Sequence, residues 1–416
     1  MRYLLVILDG AADRKNIELN GKTPLEAANM KNLNRIARHS LAGMIYTIKK
    51  GVAPESDSAV FSILSYNVKN YTGRGAMEAL GAGLKVGKGD LALRANFATI
   101  DEKKRIISRR CNLTKREARE LEKEINKIKI EGVKIKFKAT VDYRGALLIS
   151  PYHGKKLSQE ITNVDIGYIK KGTISIAKTV NEGASPIPKA KPLKNTKEAE
   201  FTAEVVNEFV DKAIEILSKS NVNKKRIAEG KQAANAILLR DASLGLPDVE
   251  PIEKKFGIRF CFVTEMPVER GIAKLLKMHE IKFESTKEGV ERYKELAKIV
   301  NKNTRDCDFV YVHIKGPDEP GHAGDPKKKK EILKDIDDGF FSKLKLYDTR
   351  ICVTCDHATP CILKAHSSDP VPVIIGRVRN GDNLLFDENI DSNGSLGIFN
   401  GNELISKILH AEEAIK

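Results

Sequence analysis

Short, continuous apolar runs alternate along the chain with longer segments in which apolar residues recur at helical spacing. Two such segments, residues 23–40 and 201–220, predict helices, and Thr23 is placed to cap the first. Four short runs rich in Val, Ile or Leu predict fully buried parallel strands: Tyr3 to Asp9, Phe309 to Lys315, Arg350 to Asp356 and Val371 to Gly376. Strands that alternate with helices predict an α/β fold with a mostly parallel sheet flanked by helices.

The middle of the chain has a different pattern, in which strand-like pieces surround one highly charged helical segment, residues 114–130. We therefore predict a smaller inserted α+β domain of residues 92–180, within a core formed by residues 1–91 and 181–416. Residues 181–200 contain Pro, Gly and Lys without periodicity, which predicts a linker leading back into the core.

Composition limits the classes of partner. The chain has 72 Lys plus Arg against 56 Asp plus Glu, a net charge of +16, and no Trp. This excess is compatible with nucleic-acid binding or with anionic substrates, but no aromatic and basic recognition motif accompanies it. A Lys- and Glu-rich surface without Trp is also found in proteins from very hot environments, and we favour that interpretation. No run approaches the roughly 20 apolar residues of a membrane span, and the first residues do not read as a signal peptide, so we expect a cytoplasmic protein.

The six cysteines show no disulfide-framework spacing, so reduced thiols are the simplest expectation. Cys352 and Cys355 form a C-x-x-C, but they lie in a predicted strand whose side chains alternate, so we expect them to point to opposite faces.

Acidic and histidine residues follow the predicted strands, at the edge where open α/β sheets build their sites. Taken singly, each has an ordinary explanation as a helix cap or a hydrogen-bonded surface histidine. Together they predict a metal site, and the mixture of carboxylates and imidazoles suits Zn²⁺, Mn²⁺, Co²⁺ or Fe²⁺ better than Ca²⁺. The residues are Asp9, Asp318, His322, Asp356, His357 and His366.

Ser56 lies in the segment PESDSAV, directly before an apolar helical run. A serine at that position is usually a helix cap, and spacing alone favours this reading. The functional alternative is a nucleophile stabilised by a bound metal and by the helix N-terminus.

The segments VILDGAAD, PESDSAV, YTGRGAMEALGAGL, NFATID, VHIKGPDEPGHAGD and DHATPC together resemble the archaeal-type 2,3-bisphosphoglycerate-independent (cofactor-independent) phosphoglycerate mutases of the alkaline phosphatase superfamily. The resemblance runs nearly end to end and implies an alkaline-phosphatase-like core with two divalent metal ions, Mn, Co, Zn or Mg, and no 2,3-bisphosphoglycerate. It implies that one metal is held by Asp318, His322 and His366. The second is then held by Asp9, Ser56, Asp356 and His357.

The resemblance also implies a reaction, in which Ser56 takes the phosphoryl group of phosphoglycerate and returns it to the neighbouring hydroxyl. The inserted domain is then expected to close over the retained glycerate. Basic residues should bind the carboxylate of this small phosphorylated substrate, although each could equally be solvated surface charge. The candidates are Arg109, Arg110, Arg144, Arg240 and Lys315. No nucleic-acid or membrane partner is implied, and the oligomeric state stays open.

The chain departs from the family pattern beside the nucleophile, at Glu55, and in the insertion, at Ser108, Tyr143 and Asn163. These changes leave room for other functions. One is a phosphatase or phosphotransferase of the same superfamily acting on another small phosphorylated substrate, including a homoserine-kinase-like activity. A catalytically weak paralogue and a binding protein that keeps an inactive enzyme fold are the remaining alternatives.

Overall fold

A computed structural model describes residues 1–172, 174–178, 183, 185–304, 306–378, 380–390 and 393–411. Its strands are β1 Arg2–Leu8, β2 Ser40–Tyr46, β3 Leu91–Ile100, β4 Ile106–Ser108, β5 Val133–Ala139, β6 Arg144–Pro151, β7 Tyr168–Lys171, β8 Ile174–Ala177, β9 Ala236–Leu244, β10 Phe260–Val263, β11 His279–Glu280, β12 Phe309–Ile314, β13 Thr349–Cys355, β14 Val371–Gly376 and β15 Gly397–Asn400.

The α-helices are α1 Pro24–Ala28, α2 Lys31–Arg38, α3 Ser56–Ile63, α4 Arg74–Gly81, α5 Lys115–Ile125, α6 Lys197–Lys219, α7 Asn221–Ala228, α8 Ile252–Phe256, α9 Pro267–Leu275, α10 Gly289–Asn303, α11 Asp318–Ala323, α12 Pro326–Ile336 and α13 Leu404–Leu409. No helix in the described ranges is long and apolar enough to cross a membrane.

The chain divides into two compact units. The first unit comprises Met1–Tyr71, Val249–Glu265 and Leu276–Lys416, and the second comprises Thr72–Asp248 and Met266–Leu275. The second unit contains all of the predicted insertion, residues 92–180, but is larger. It extends further because β9 pairs along β3 and α6 packs on β9. The predicted boundary at residues 180 and 181 lies outside the described residues, and an inserted domain that closes over substrate stays a prediction.

The first unit is built on an eight-stranded sheet with the order β11-β10-β12-β1-β13-β14-β2-β15. The central strands β1, β12 and β13 pair in parallel and are almost wholly buried, as their continuous apolar sequences predict. The α/β class with a mainly parallel sheet is therefore confirmed.

The prediction of a parallel strand at 371–376 was wrong, because β14 runs antiparallel to both β13 and β2. A parallel return from β13 would need a crossover, usually a helix, that carries the chain back to the start of the sheet. The segment between β13 and β14 contains no helix and instead holds His357 and His366 at the sheet edge, so β14 starts at the end where β13 stops.

The second unit contains β4-β3-β6-β5, with β9 on the other side of β3, and the separate hairpin of β7 and β8. Helices α5 and α6 pack with this sheet around an apolar core that includes Phe97, Phe137, Leu121, Phe209 and Leu239. Segregated antiparallel strands and helices make this unit α+β.

The predicted helix at 23–40 is divided in two. Thr23 caps α1 through a capping box with Glu26, as its position predicted. The chain then turns at Asn29, which adopts φ +47°, before α2 begins at Lys31. Asparagine tolerates this left-handed conformation better than most residues, which explains why the helical pattern is interrupted there.

The expectation of reduced thiols was wrong at one place, since Cys261 and Cys307 form a disulfide with Cα atoms 6.0 Å apart. Cys261 lies on β10 and Cys307 lies just before its parallel neighbour β12. The remaining cysteines, Cys111, Cys352, Cys355 and Cys361, are free and buried.

Candidate metal centre and active site

Strand register brings three predicted site residues to one edge of the first unit's sheet. Leu8, the last residue of β1, pairs with Ile314 of β12 and with Cys355 of β13. The next residue on each strand is Asp9, Lys315 or Asp356, so the three side chains emerge side by side. Lys315 Nζ lies 3.0 Å from Asp9 Oδ2, and the backbone N–H of Gly10 donates to Asp356 Oδ1 over 2.9 Å.

Gly10 leaves space for two side chains of the site. Its φ is +56°, and an added Cβ would lie 2.6 Å from Asp318 Oδ1 and 2.7 Å from Thr359 Oγ1. Any other residue would be strained and would also displace two side chains of the site. The absence of a side chain at Gly10 lets the segment after β12 approach the end of β1.

The first candidate metal cluster is formed by Asp318, His322 and His366. The two Nε2 atoms are 3.1 Å apart, and each lies 3.5 Å from a carboxylate oxygen of Asp318. Asp318 and His322 occupy the first and fifth positions of α11, one helical turn apart. His366 comes from the segment after β13, so the cluster exists only when the two segments meet.

Backbone carbonyls fix the tautomers of these two histidines. His322 Nδ1 lies 3.2 Å from the carbonyl of Lys364, and His366 Nδ1 lies 2.8 Å from the carbonyl of Pro54. A carbonyl only accepts, so each Nδ1 must carry the hydrogen and donate it. When the rings are neutral, both Nε2 lone pairs then point toward Asp318, as metal ligation requires.

Thr359 fixes the tautomer of His357 in the same way. Its hydroxyl donates to Asp318 Oδ1 over 2.7 Å and lies 3.0 Å from His357 Nδ1. Because the hydroxyl hydrogen is used on the carboxylate, the oxygen accepts from His357 Nδ1–H. The Nε2 lone pair of His357 is thereby left for a ligand.

The second candidate cluster is formed by Asp9, His313 and Asp356, all buried. His357 faces the same carboxylates, with Nε2 3.8 Å from Asp9 Oδ1 and 3.5 Å from Asp356 Oδ2. The ring of His357 also stacks on that of His366 with centroids 3.7 Å apart, which places the two clusters side by side. Both donor sets mix imidazole with carboxylate and therefore fit divalent transition metals.

Ser56 is the first residue of α3 and lies against the second cluster. Its Oγ is 3.0 Å from His357 Nε2, and its side chain is buried. Glu55 is the N-cap residue and no side-chain cap is made, so the predicted capping role of Ser56 is not the one observed. The neighbouring Asp57 accepts hydrogen bonds from Tyr71 and from the Ser58 N–H, which anchors this first turn.

Burial and neighbouring charges set the protonation states at this edge. Burial alone would raise the pKa of Asp318, but the hydrogen bond with His366 and the adjacent histidine charges hold it well below its ordinary value. Burial lowers the pKa of His357 to about 4, against the opposing effect of Asp356. At pH 7 Asp318 is therefore ionised and His357 is neutral, the forms that bind metal ions.

The predicted substrate-binding arginines belong to the second unit, where two of them share one carboxylate. Arg109 makes a bidentate pair with Asp165 at 2.7 and 3.1 Å, and Arg240 Nη1 donates to Asp165 Oδ2 over 3.0 Å. Burial would raise the pKa of Asp165, but the two guanidinium groups hold it below its ordinary value. Both arginines also lie over the ring of Tyr168.

Arg110 and Arg144 both lie over the ring of Tyr143, with guanidinium carbons 5.8 and 5.3 Å from the ring centroid. The sequence analysis overlooked Arg94, which is buried beside Glu78 and has its pKa lowered by burial and by the charges of Arg74 and Arg240. Arg74, Arg94 and Arg240 thus form a positive cluster within the second unit. The available signal for Arg94 was a charged residue in an otherwise uncharged strand.

Comparison with known proteins adds to this geometry. A family model described as 2,3-bisphosphoglycerate-independent phosphoglycerate mutase matches residues 37–223. A protein of that name from Aeropyrum pernix is 41% identical, over 98% of this chain and 99% of its own length. The chain belongs to this family. A 2,3-bisphosphoglycerate-independent phosphoglycerate mutase 1 from Methanocaldococcus jannaschii is 34% identical, over 98% of this chain and 96% of its own.

Solved structures agree with the fold of this phosphoglycerate mutase family member. The PH0037 protein from Pyrococcus horikoshii aligns with a TM-score of 0.77 at 28% identity, covering 100% of this chain and 98% of its own. The cofactor-independent phosphoglycerate mutase from Thermoplasma acidophilum aligns at 0.62 with 30% identity, covering 98% of both chains. The predicted family and the isomerase class are confirmed.

Sequence reasoning missed one residue of this edge, His313. It lies two residues before Lys315, and side chains two apart in a strand share a face. Its register partner is Ile7, two residues before Asp9, so the alternation places His313 on the face that Asp9 shares. A histidine within the apolar run FVYVHI was the signal, but it reads equally well as a buried core residue.

Proposed function

We propose that this phosphoglycerate mutase family member interconverts 3-phosphoglycerate and 2-phosphoglycerate through a phosphoserine at Ser56, with two divalent metal ions, in glycolysis and gluconeogenesis. The observation that carries the proposal is the position of Ser56 Oγ. It lies 3.0 Å from His357 Nε2, at the start of a helix and beside the proposed ligands of the second metal ion. A hydroxyl there can be deprotonated and faces a site suited to a phosphate.

The predicted ligands divide between two ions. Asp318, His322 and His366 would hold the first, and Asp9, Asp356, His357 and Ser56 would hold the second. Bound ions would neutralise the phosphate and stabilise the entering and leaving oxygens of an in-line displacement.

Two displacements at phosphorus move the phosphoryl group through Ser56. Ser56 Oγ loses its proton and forms a bond to phosphorus while the bond from phosphorus to the glycerate oxygen breaks, and that oxygen takes up a proton. Glycerate then presents its neighbouring hydroxyl, which loses its proton, takes the phosphoryl group and leaves Ser56 with a proton again. Lys315, 3.0 Å from Asp9, is placed to offset charge on the phosphate.

The arginines of the second unit are proposed to bind the substrate carboxylate. Arg109 and Arg240 are held rigidly by Asp165, so they lose little freedom when an anion binds. A Cβ at position 167 would collide with the guanidinium of Arg109, and Gly167 therefore permits this arrangement. Preorganised donors of this kind favour planar carboxylates.

Hydrolysis is the second candidate activity, and the contacts of Asn163 favour it. Its amide donates to Ser175 Oγ and to the Tyr168 carbonyl, and accepts from the Asp241 N–H. Ser108 Oγ likewise donates to the Arg110 carbonyl. Side chains engaged in this way contribute little to retaining glycerate, and water that reaches the phosphoserine would release phosphate.

One assay separates the two activities. The enzyme is incubated with 3-phosphoglycerate, and 2-phosphoglycerate, read through enolase, is followed together with free phosphate. We expect both products, with 2-phosphoglycerate in excess. Free phosphate without 2-phosphoglycerate would refute mutase activity and retain the phosphoserine chemistry.

The same assay tests the metals. Exhaustive chelation should abolish turnover, and Mn²⁺ or Co²⁺ should restore it best because the ligands mix imidazole with carboxylate. Full activity after chelation would refute the two-metal mechanism.

A further inference from the structure

His313 is the one histidine of β12, and it is 1% exposed. Its side chain reaches the two carboxylates at the sheet edge. There its Nε2 lies 3.3 Å from Asp356 Oδ2 and 3.9 Å from Asp9 Oδ1. A buried imidazole that meets two carboxylates of a candidate metal site has a more specific role available than filling the core.

His357 approaches the same two oxygens from the segment after β13, at 3.5 Å from Asp356 Oδ2 and 3.8 Å from Asp9 Oδ1. The two imidazole nitrogens, from different segments of the chain, thus approach the same two carboxylate oxygens. Ligands bound tetrahedrally at about 2.0–2.2 Å lie about 3.3–3.6 Å from one another. The separations of His313 Nε2 from the two oxygens are close to that range, and Asp9, His313 and Asp356 offer ligand atoms that all lie within 4.8 Å of one another.

We propose that His313 is a ligand of the second metal ion, through Nε2. The inference rests on the proposed two-metal function and adds a residue that the sequence did not suggest. The protein ligands would then be His313, His357, Asp9 and Asp356, with Ser56 as an exchangeable fifth. Two imidazoles bias such a site toward Zn²⁺ or Co²⁺ and away from Mg²⁺, which prefers oxygen ligands.

A different role, in which His313 serves only as a charge partner of Asp356, predicts another result. In that case its removal would lower the stability of the fold and leave the number of bound metal ions unchanged. Metal stoichiometry and affinity therefore separate the two roles, whereas loss of activity alone does not.

The first experiment measures Zn²⁺ content and affinity in the wild type, in His313→Asn and in His279→Asn. His279 is exposed and pairs with Glu253, so its variant controls for the loss of a surface imidazole. We expect two tightly bound ions in the wild type and in His279→Asn. In His313→Asn we expect one tight ion and a second that binds roughly 10- to 100-fold more weakly.

Two tight ions with unchanged affinity in His313→Asn would overturn the inference and leave the proposed function intact. A wild type that binds no metal would refute the proposed function itself.

A second measurement uses only the wild type, so it tests whether His313 binds the metal even if His313→Asn fails to fold. Side-chain nitrogen NMR of the ¹⁵N-histidine-labelled wild type, before and after Zn²⁺ is added, reports which ring nitrogens ligate. We expect Nε2 signals of His313, His322, His357 and His366 to shift, and those of the other histidines to stay. An unshifted His313 with the other three shifted would overturn the inference and preserve the two-metal function.

Discussion

The hydroxyl of Thr359 donates a hydrogen bond to Asp318 Oδ1 over 2.7 Å. The Thr359 hydroxyl oxygen in turn accepts from His357 Nδ1–H, so one buried side chain orients a ligand of each proposed metal. Residues that hold ligands in this way tune the affinity of metal sites.

We expect Thr359→Val, which keeps the shape and removes the hydroxyl, to weaken metal binding roughly 10- to 100-fold. Thr359→Ser should restore most of the affinity because it returns the donor and acceptor. Calorimetric titration with Zn²⁺ on the metal-free proteins measures the effect. If valine and serine behave alike, the hydroxyl does not orient the ligands.

Ser56→Ala should lower mutase turnover roughly a thousandfold or more, because a methyl group cannot carry the phosphoryl group. Substrate should still bind, since the proposed metal ligands and arginines remain. Ser58→Ala is the matched control, because Ser58 Oγ only donates to the Glu55 carbonyl of the same turn.

Mass spectrometry of quenched wild type and Ser58→Ala should detect phosphate on Ser56. Turnover by Ser56→Ala at the wild-type rate, or phosphate on another residue, would contradict the phosphoserine mechanism.

Lys329 should be needed for stability. Its fully buried ammonium donates to Asp13 Oδ2 over 2.8 Å and to the carbonyls of Ala12 and Thr359, which joins the segments after β1 and β13. Lys329→Met would leave Asp13 as a buried charge without its cation, at a cost of about 3–5 kcal/mol.

Denaturant unfolding measures this difference. The neighbouring exposed pair of Lys328 and Glu331 supplies the control, and Lys328→Met should cost less than about 1 kcal/mol. Equal losses of unfolding free energy for the two substitutions would show that the buried pair stabilises the fold no more than the exposed pair does.

Asp165→Asn should destabilise the second unit, since it removes the carboxylate that pairs with Arg109 and with the buried Arg240, which then has only the longer pair with Asp241. We expect a loss of about 3–5 kcal/mol at pH 7. Because the pKa of Asp165 is below the ordinary 3.8 in the folded protein, the unfolded chain binds its proton first. The stabilisation is therefore fully present above the ordinary pKa of 3.8. It is lost as the pH falls from there through the lower pKa of the folded protein.

Unfolding free energies of wild type and Asp165→Asn at several pH values test this sign. The difference between the two proteins should shrink from about pH 5 toward about pH 2. Asp211→Asn, which breaks an exposed pair with Lys104, should have little effect throughout. A difference that grows on acidification would contradict the assigned charge state.

The sequence by itself determined the family, the α/β class and the buried strands β1, β12 and β13, and it suggested every proposed metal ligand except His313. These features are local: apolar runs, turn residues and polar residues just after a strand can each be read from neighbouring positions. The proximity of Asp9 and Asp356 was also inferable, because carboxyl ends of parallel strands meet at one sheet edge.

Only the tertiary structure decided the direction of β14, the Cys261–Cys307 disulfide, the place of His313 and the pairing of Arg109 with Arg240 around Asp165. Each depends on contacts between residues far apart in the chain, and nothing in the local sequence fixes them. A histidine within an apolar strand is compatible with core packing until register places it beside two carboxylates. Likewise, an arginine is compatible with a solvated surface until folding buries it against a particular anion, because the free energy of a buried charge depends on its partner.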